Sequence, residues 1–272
     1  MADLVADGAS AVTAYWRIAA LWVRASLAYP VSFWVMAVSS FLTTGLDFVA
    51  IAFIFTNVDQ LGGFSLREIA FLYGATGLGI AIADIVVGNV ERLGQLIRLG
   101  RLDTMMTKPV PLLVQVCAHE FALRRLARIV QSGAIFAWAC WFVDWTPARV
   151  LTTVVMAASG SVIFFCLFVG LACIQFWTAD SAEVANAFTY GGNALTQYPL
   201  SVYPRAVVQA LTFVLPIAFV NWYPALSVLG RDDPFAMPAW LQHAAPVAAA
   251  ACVGVCALTW RTGVRHYRST GS

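Results

Sequence analysis

Residues 150–177 contain no Asp, Glu, Lys or Arg. Roughly 20 apolar residues in a helix are enough to cross the hydrocarbon layer of a bilayer. A run this long without charge has no polar face to offer water. Further apolar runs lie at 31–55, 69–90, 129–143, 206–222 and 246–260. Composition points the same way. Of the 272 residues, 61% are apolar and 11% charged, against roughly 25% charged in an ordinary soluble domain. So few charges cannot coat a soluble globule of this length. That excludes a soluble enzyme, a disordered chain and a nucleic-acid-binding module. The expectation is an all-α, polytopic integral membrane protein, with six transmembrane helices in one domain over 1–272.

The first ten residues carry Asp3 and Asp7 but no Lys or Arg, so no cleavable signal peptide is expected. Segment 11–29 differs from the apolar runs. Val12, Tyr15, Trp16, Ala19, Trp22, Val23, Ser26 and Leu27 recur every three to four residues, with Arg17 and Arg24 on the other side. This is the pattern of a helix lying in the headgroup layer.

Basic residues set the orientation. Arg17 and Arg24 precede the first run. Arg92, Arg98, Arg101, Lys108, Arg124, Arg125 and Arg128 lie between the second and third runs, and Arg205 between the fourth and fifth. Arg261, Arg265 and Arg268 form the tail, so these alternate segments hold thirteen of the sixteen Lys and Arg residues. The intervening connections hold only Arg67, Arg149 and Arg231. Cytoplasmic loops carry the excess of cations, so both termini and the second connection are expected in the cytoplasm.

That second connection is the one substantial polar stretch. Its segment 91–107 alternates Leu93, Leu96, Leu102, Met105 and Met106 with Arg92, Gln95, Arg98 and Arg101. Gly100 can end a first short helix in the left-handed conformation, and Pro109 and Pro111 stop a second. Glu120 and Arg124 are expected to pair at i, i+4 on a helix rising from Cys117 into the third run. The interleaved leucines favour a surface gripped by a soluble partner over a loop that only fixes topology. In the C-terminal half, Pro216 should kink the fifth run, and Asn221, Trp222 and Tyr223 read as an interfacial belt. Segment 223–240 is too short and too broken by Pro224, Gly230, Pro234 and Pro238 to cross. It is expected to be external and re-entrant, in preference to a plain surface loop.

Two acids fall inside runs, which costs about 2.5 to 3.5 kcal/mol on insertion scales. Asp84 is close enough to the cytoplasmic end to reach water. Asp47 can pack against a neighbouring helix, line a polar cavity or carry a proton, ranked in that order because no His, Lys or second acid accompanies it in the last four runs. Small residues around Gly74, Gly77 and Gly79, and again at 157–161, allow close helix approach. The six cysteines form no C-x-x-C pair, and the three histidines lie far apart. No phosphate-binding loop, H-E-x-x-H or G-x-S-x-G is present, so neither catalysis nor a bound metal or cofactor is expected of this chain.

The order Gly100-Arg101-Leu102-Asp103, Lys108-Pro109 and a basic approach to the third run resembles permeases of the type-2 ABC exporter class. The closer likeness is to their bacterial bare-permease subfamily. Tyr198-Pro199, Tyr203-Pro204, Leu215-Pro216 and Tyr223-Pro224 with Gly230 resemble that subfamily's C-terminal half. The resemblance implies an elbow helix, six spans, a coupling helix after the second and re-entrant helices before the last. It also implies a second permease, identical or paralogous, and two ATPase subunits that bind ATP and Mg. The assembly would sit in lipid of the bacterial inner membrane and export an amphiphile such as a drug, lipid or glycan. Coupling would fall to Arg92, Leu93, Leu96, Arg98, Gly100, Arg101, Leu102 and Asp103, with the leucines buried in the ATPase. Path candidates are Asp47, Asp84, Pro216, Asn221, Trp222 and Tyr223. An ATP-independent carrier or a membrane assembly scaffold is the alternative.

Overall fold

The computed structural model describes residues 2–87, 89–122, 125–178 and 182–267, with side chains from residue 11 onward. The described chain is helical. In order the helices are α1 (Ala2–Leu27), α2 (Pro30–Ile54), α3 (Leu66–Val87), α4 (Leu93–Arg98), α5 (Arg101–Met106), α6 (Leu112–Ala118), α7 (Leu126–Cys140), α8 (Pro147–Ala172), α9 (Ala182–Thr196), α10 (Arg205–Phe213), α11 (Trp222–Leu229) and α12 (Ala245–His266). Among the described residues, α2, α3, α12 and α8 with its 3-10 extension to Phe176 are long and apolar enough to cross a membrane.

Helix starts follow from local chemistry. Pro30 and Pro147 occupy first-turn positions of α2 and α8, where a missing N–H costs nothing. The Thr146 hydroxyl accepts from the Arg149 amide to cap α8. At α3, Glu68 reaches back to accept from both the amide and the hydroxyl of Ser65, at 2.8 Å each, the carboxylate half of a capping box.

Helix α3 is the buried axis, with Phe71, Leu72, Tyr73, Ile80 and Val87 all in the core. Helices α7 and α8 pack along it through small residues. A Cβ on Gly74 would sit 2.7 Å from the Phe136 backbone, so those two backbones touch. Gly74→Val is therefore expected to cost about 3 kcal/mol, at the upper end of overpacking penalties. A thermal-aggregation midpoint in detergent measures it. Gly254, whose Cβ would meet nothing within 4 Å, is the neutral comparison as Gly254→Ala.

Two of the expected spans are corrected. The third does not rise unbroken from Cys117: α6 ends at Ala118, Glu120 turns the chain at φ 53°, and α7 begins at Leu126. Glu120 pairs with Asn89 and Arg92; Arg124, its expected partner, lies outside the described residues. The fifth, at 206–222, is not straight, because α10 and the stretch Pro216–Leu229 meet at 76°. Pro216 breaks the helix as its chemistry requires, and with a bend far larger than a kink.

The ends of α3 locate this broken pair. Ser201, just before α10, donates to the Gly62 carbonyl at 2.7 Å. Arg231, just after α11, holds Glu68 at 2.7 Å. Both positions adjoin the same end of α3. Between them Val220 packs on Gly160, beside Gly79 half-way along α3, and Asn221 donates to the Leu72 and Thr196 carbonyls. The pair descends to mid-helix and returns. Helix α9 instead lies along the half of α3 that ends at Val87, its last residue Thr196 accepting from Thr76 half-way along. Tyr190 reaches Glu91 beyond one end of α3, and the continuation through Ser201 reaches the other. Trp222 and Tyr223 are each 1% exposed, so they are core residues of the broken pair and not a surface belt.

Candidate coupling surface and translocation groove

The segment after α3 is tied to the rest of the chain from four directions. Gln175, on the extension of α8, accepts from the Gly94 amide at 2.6 Å and donates to the Glu91 carbonyl at 2.9 Å. Tyr190 of α9 donates to the Glu91 carboxylate at 2.8 Å. Tyr267, just past α12, donates to Asp103 at 2.9 Å. Gln115 of α6 donates to the Met105 and Val110 carbonyls. Burial, with Asp84 nearby, holds the Glu91 carboxyl above its ordinary range despite the Tyr190 bond. Burial and the Asp103 carboxylate push the Tyr267 hydroxyl up to about 12.

Gly100 adopts φ 64° between α4 and α5, the left-handed conformation expected for it, where a side chain is strained. The leucines are a correction. Leu93, Leu96 and Leu102 are at most 5% exposed, packed in this chain's own core, and cannot bury in a partner. The outward face carries Arg92, Gln95, Arg98, Leu99, Arg101, Thr104, Met106 and Lys108.

Behind this segment lies a charged junction. Asp84 is 4% exposed, and its carboxylate meets Arg125 at 3.0 Å and Arg128 at 3.5 Å. It does not reach water as expected. Arg125 also donates to Asn89, which donates to Glu120, which faces Arg92. Helix α1 lies against the same end, with the Tyr15 hydroxyl on the Ile85 and Val86 carbonyls and Trp22 edge-on to His119. Burial lowers the His119 pKa.

Helix α2 is mostly exposed, and one side of it is polar. Ser39, Ser40, Thr43 and Thr44 line a groove together with Arg128. This groove adjoins a cavity of about 150 Å³ that holds Asp47, Arg128, Ser132, Tyr190 and Asn193. Asp47 thus lines a polar cavity, the second of its three readings. Pro216 lines a separate, apolar groove of about 580 Å³ between α8, α10 and α12, whereas Asn221, Trp222 and Tyr223 are buried. No group of acids, cysteines and histidines able to hold a metal occurs among the described residues, and the six cysteines are free.

Sequence reasoning missed Gln175, Tyr190 and Tyr267. Gln175 left a signal, as the only side-chain amide in 150–177, because a buried amide needs partners.

Long apolar helices around a buried axis, with a charged surface at one end, define a multi-pass membrane protein. The chain belongs to the ABC-2 family transporter proteins, whose family model matches residues 41–271. Membership implies association with an ABC ATPase. Comparison with curated proteins and with solved structures gives no match.

Proposed function

We propose that this chain is the permease subunit of an ABC exporter, moving an amphiphile outward on ATP hydrolysis by a separate chain. One observation carries the reading: the segment 91–107 is hydrogen-bonded to the extension of α8, to the middle of α9 and to the residue that follows α12. Force passes only through contiguous contact, and a partner pushing here would move three long elements together. ATP and Mg²⁺ belong to the two partner ATPases, and this chain carries no catalytic site of its own.

In this reading the crossings are α2, α3, α7, α8, the stretch 182–202 and α12, with α10 and α11 re-entrant from outside. Helix α7 has 15 residues, short for a bilayer. Arg125 and Arg128 at one end, and Trp138, Trp141 and Trp145 at the other, anchor it at both interfaces. Helix α1 lies in the headgroup layer with Trp16 and Leu21 outward. Arg205, expected in a cytoplasmic connection, falls on the outer side here, four residues after the Ser201 that meets Gly62; the remaining twelve of the sixteen cations still support both termini in the cytoplasm of a bacterial inner-membrane protein. Ser39, Thr43 and Asp47 on an exposed helix face are ill-suited to lipid, which supports a second permease, identical or paralogous, across that face with the substrate path between the two.

Affinity purification of the tagged chain from its native membrane, with mass spectrometry, tests this. A stoichiometric ABC ATPase is expected. Its absence, with proton-dependent uptake by the purified chain, overturns the proposal in favour of an ATP-independent carrier.

A further inference from the structure

The cavity beneath α2 holds one carboxylate, Asp47, beside the neutral groups Ser132, Asn193 and Gln197, which can accept as well as donate. Asp47, exposed on α2, lines the cavity and has no ion pair among the described residues. Ser132 is 1% exposed, also lines it, and its Oγ has no hydrogen-bond partner among the described residues; the same holds for Asn193 Oδ1. The tyrosine protons are already committed, Tyr73 to the Thr44 carbonyl and Tyr190 to Glu91. The cation in the lining, Arg128, is shared with Asp84 at 3.5 Å. The volume of about 150 Å³ is room for about five waters, enough for a small polar head and not for an acyl chain. The polar groove along Ser39, Ser40, Thr43 and Thr44 meets the cavity at Thr44 and Arg128, giving a way in from the exposed face of α2.

An anionic head would meet a carboxylate here, and an alcohol would leave that charge unmatched. A primary ammonium brings one positive charge and three donors on one atom, matching Asp47, Ser132 and Asn193. From this we infer that the cavity is a head-group site for an amphiphile bearing a protonated primary amine, with Asp47 as counter-ion and Ser132 and Asn193 as neutral acceptors. The inference rests on reading the α2 groove as the substrate path, but binding to the cavity needs no ATPase.

The test uses the full-length chain in phosphatidylcholine nanodiscs. Saturable binding of radiolabelled dodecylamine is measured above that of empty discs. Dodecyltrimethylammonium, which has the charge without donors, and dodecanol, which has the chain without charge, serve as competitors. The expected results are at least tenfold weaker binding by Asp47→Asn, a loss of about threefold for Ser132→Ala, and near wild-type binding by Asp47→Glu. Charge-assisted hydrogen bonds are the stronger class, which sets that order. Dodecyltrimethylammonium should compete at least tenfold less well than dodecylamine, and dodecanol not at all. Wild-type affinity in a folded Asp47→Asn variant overturns the assignment, as does equal competition by either analogue. The ATPase co-purification stands apart from this outcome, so the two readings fail separately.

Discussion

Changing Leu99 and Met106 together to Asp is expected to release the ATPase and stop transport while the chain stays folded. The two side chains are 55% and 48% exposed on the outward face of the segment after α3, so neither supports the chain's own core. An interface anchor commonly contributes about 2 kcal/mol, and each 1.4 kcal/mol is tenfold in affinity. Two anchors lost together should weaken association by roughly a hundredfold or more. Arg92, Arg98, Arg101 and Lys108 surround them as charges that set register and partner choice more than affinity. Leu102→Asp is expected to behave differently, because Leu102 is fully buried and a carboxylate there removes the fold itself. ATPase pull-down, ATP-dependent uptake in inverted vesicles and a circular-dichroism melt separate the two. Arg261→Ala, on the exposed side of α12, should change none of them. Arg268, in the tail, lies outside the described residues and offers no such comparison. Full ATPase retention with full transport in Leu99→Asp/Met106→Asp would reduce the segment to a topological loop.

The difference between Leu99 and Leu102 marks where sequence patterning stops being informative. Periodicity tells that α4 and α5 have an apolar side, but not whether that side meets this chain or another. Hydropathy has the same blindness at 182–229. Helix α9 reads as a loop because it carries Asn186, Thr189, Gly191, Gly192, Asn193 and Thr196. Thr189, Gly192 and Thr196 are buried, and Asn193 faces a polar cavity instead of lipid. The broken pair α10 and α11 reads as a span because Ile217, Ala218, Val220 and Trp222 are apolar. They are apolar because protein surrounds them at mid-depth, where irregular backbone must be sheltered. Where a helix is long, apolar and largely exposed, as α2 and α12 are, composition is a faithful guide. The Gly100 turn and the break at Pro216 were legible too, because each depends on one residue's own geometry. Gln175 and Asp84 were not, since their partners lie 41 to 84 positions away in the chain.

Asp84→Ala is expected to destabilise the chain by about 3 kcal/mol. The carboxylate is buried between Arg125 and Arg128, and removing it strands two cations. Deleting one member of a buried ion pair commonly costs about 3–5 kcal/mol, because the survivor stays desolvated. Two features place this case at the lower end. Arg128 keeps 28% of its side-chain exposure, so water relieves part of its charge. Arg125 still donates to the Asp84 carbonyl and to Asn89, at 2.7 Å each, and neither acceptor is lost with the side chain. Asp84→Asn should lose less than Asp84→Ala, since an amide oxygen can accept from either arginine while the cations remain unneutralised. Arg125→Gln alone leaves Asp84 with the more distant Arg128. Combined with Asp84→Asn it should recover a good part of the loss, because the double variant buries one charge fewer on each side. Unfolding in detergent micelles, followed by circular dichroism and read as a double-mutant cycle, isolates the interaction. A coupling energy near zero would mean that Asp84 is solvated in the working protein and that the junction does not hold the start of the coupling segment in place. A coupling energy of about 1–3 kcal/mol, in the range for contacting residues in one network, would place the junction in the frame that fixes Asn89, Glu120 and Arg92.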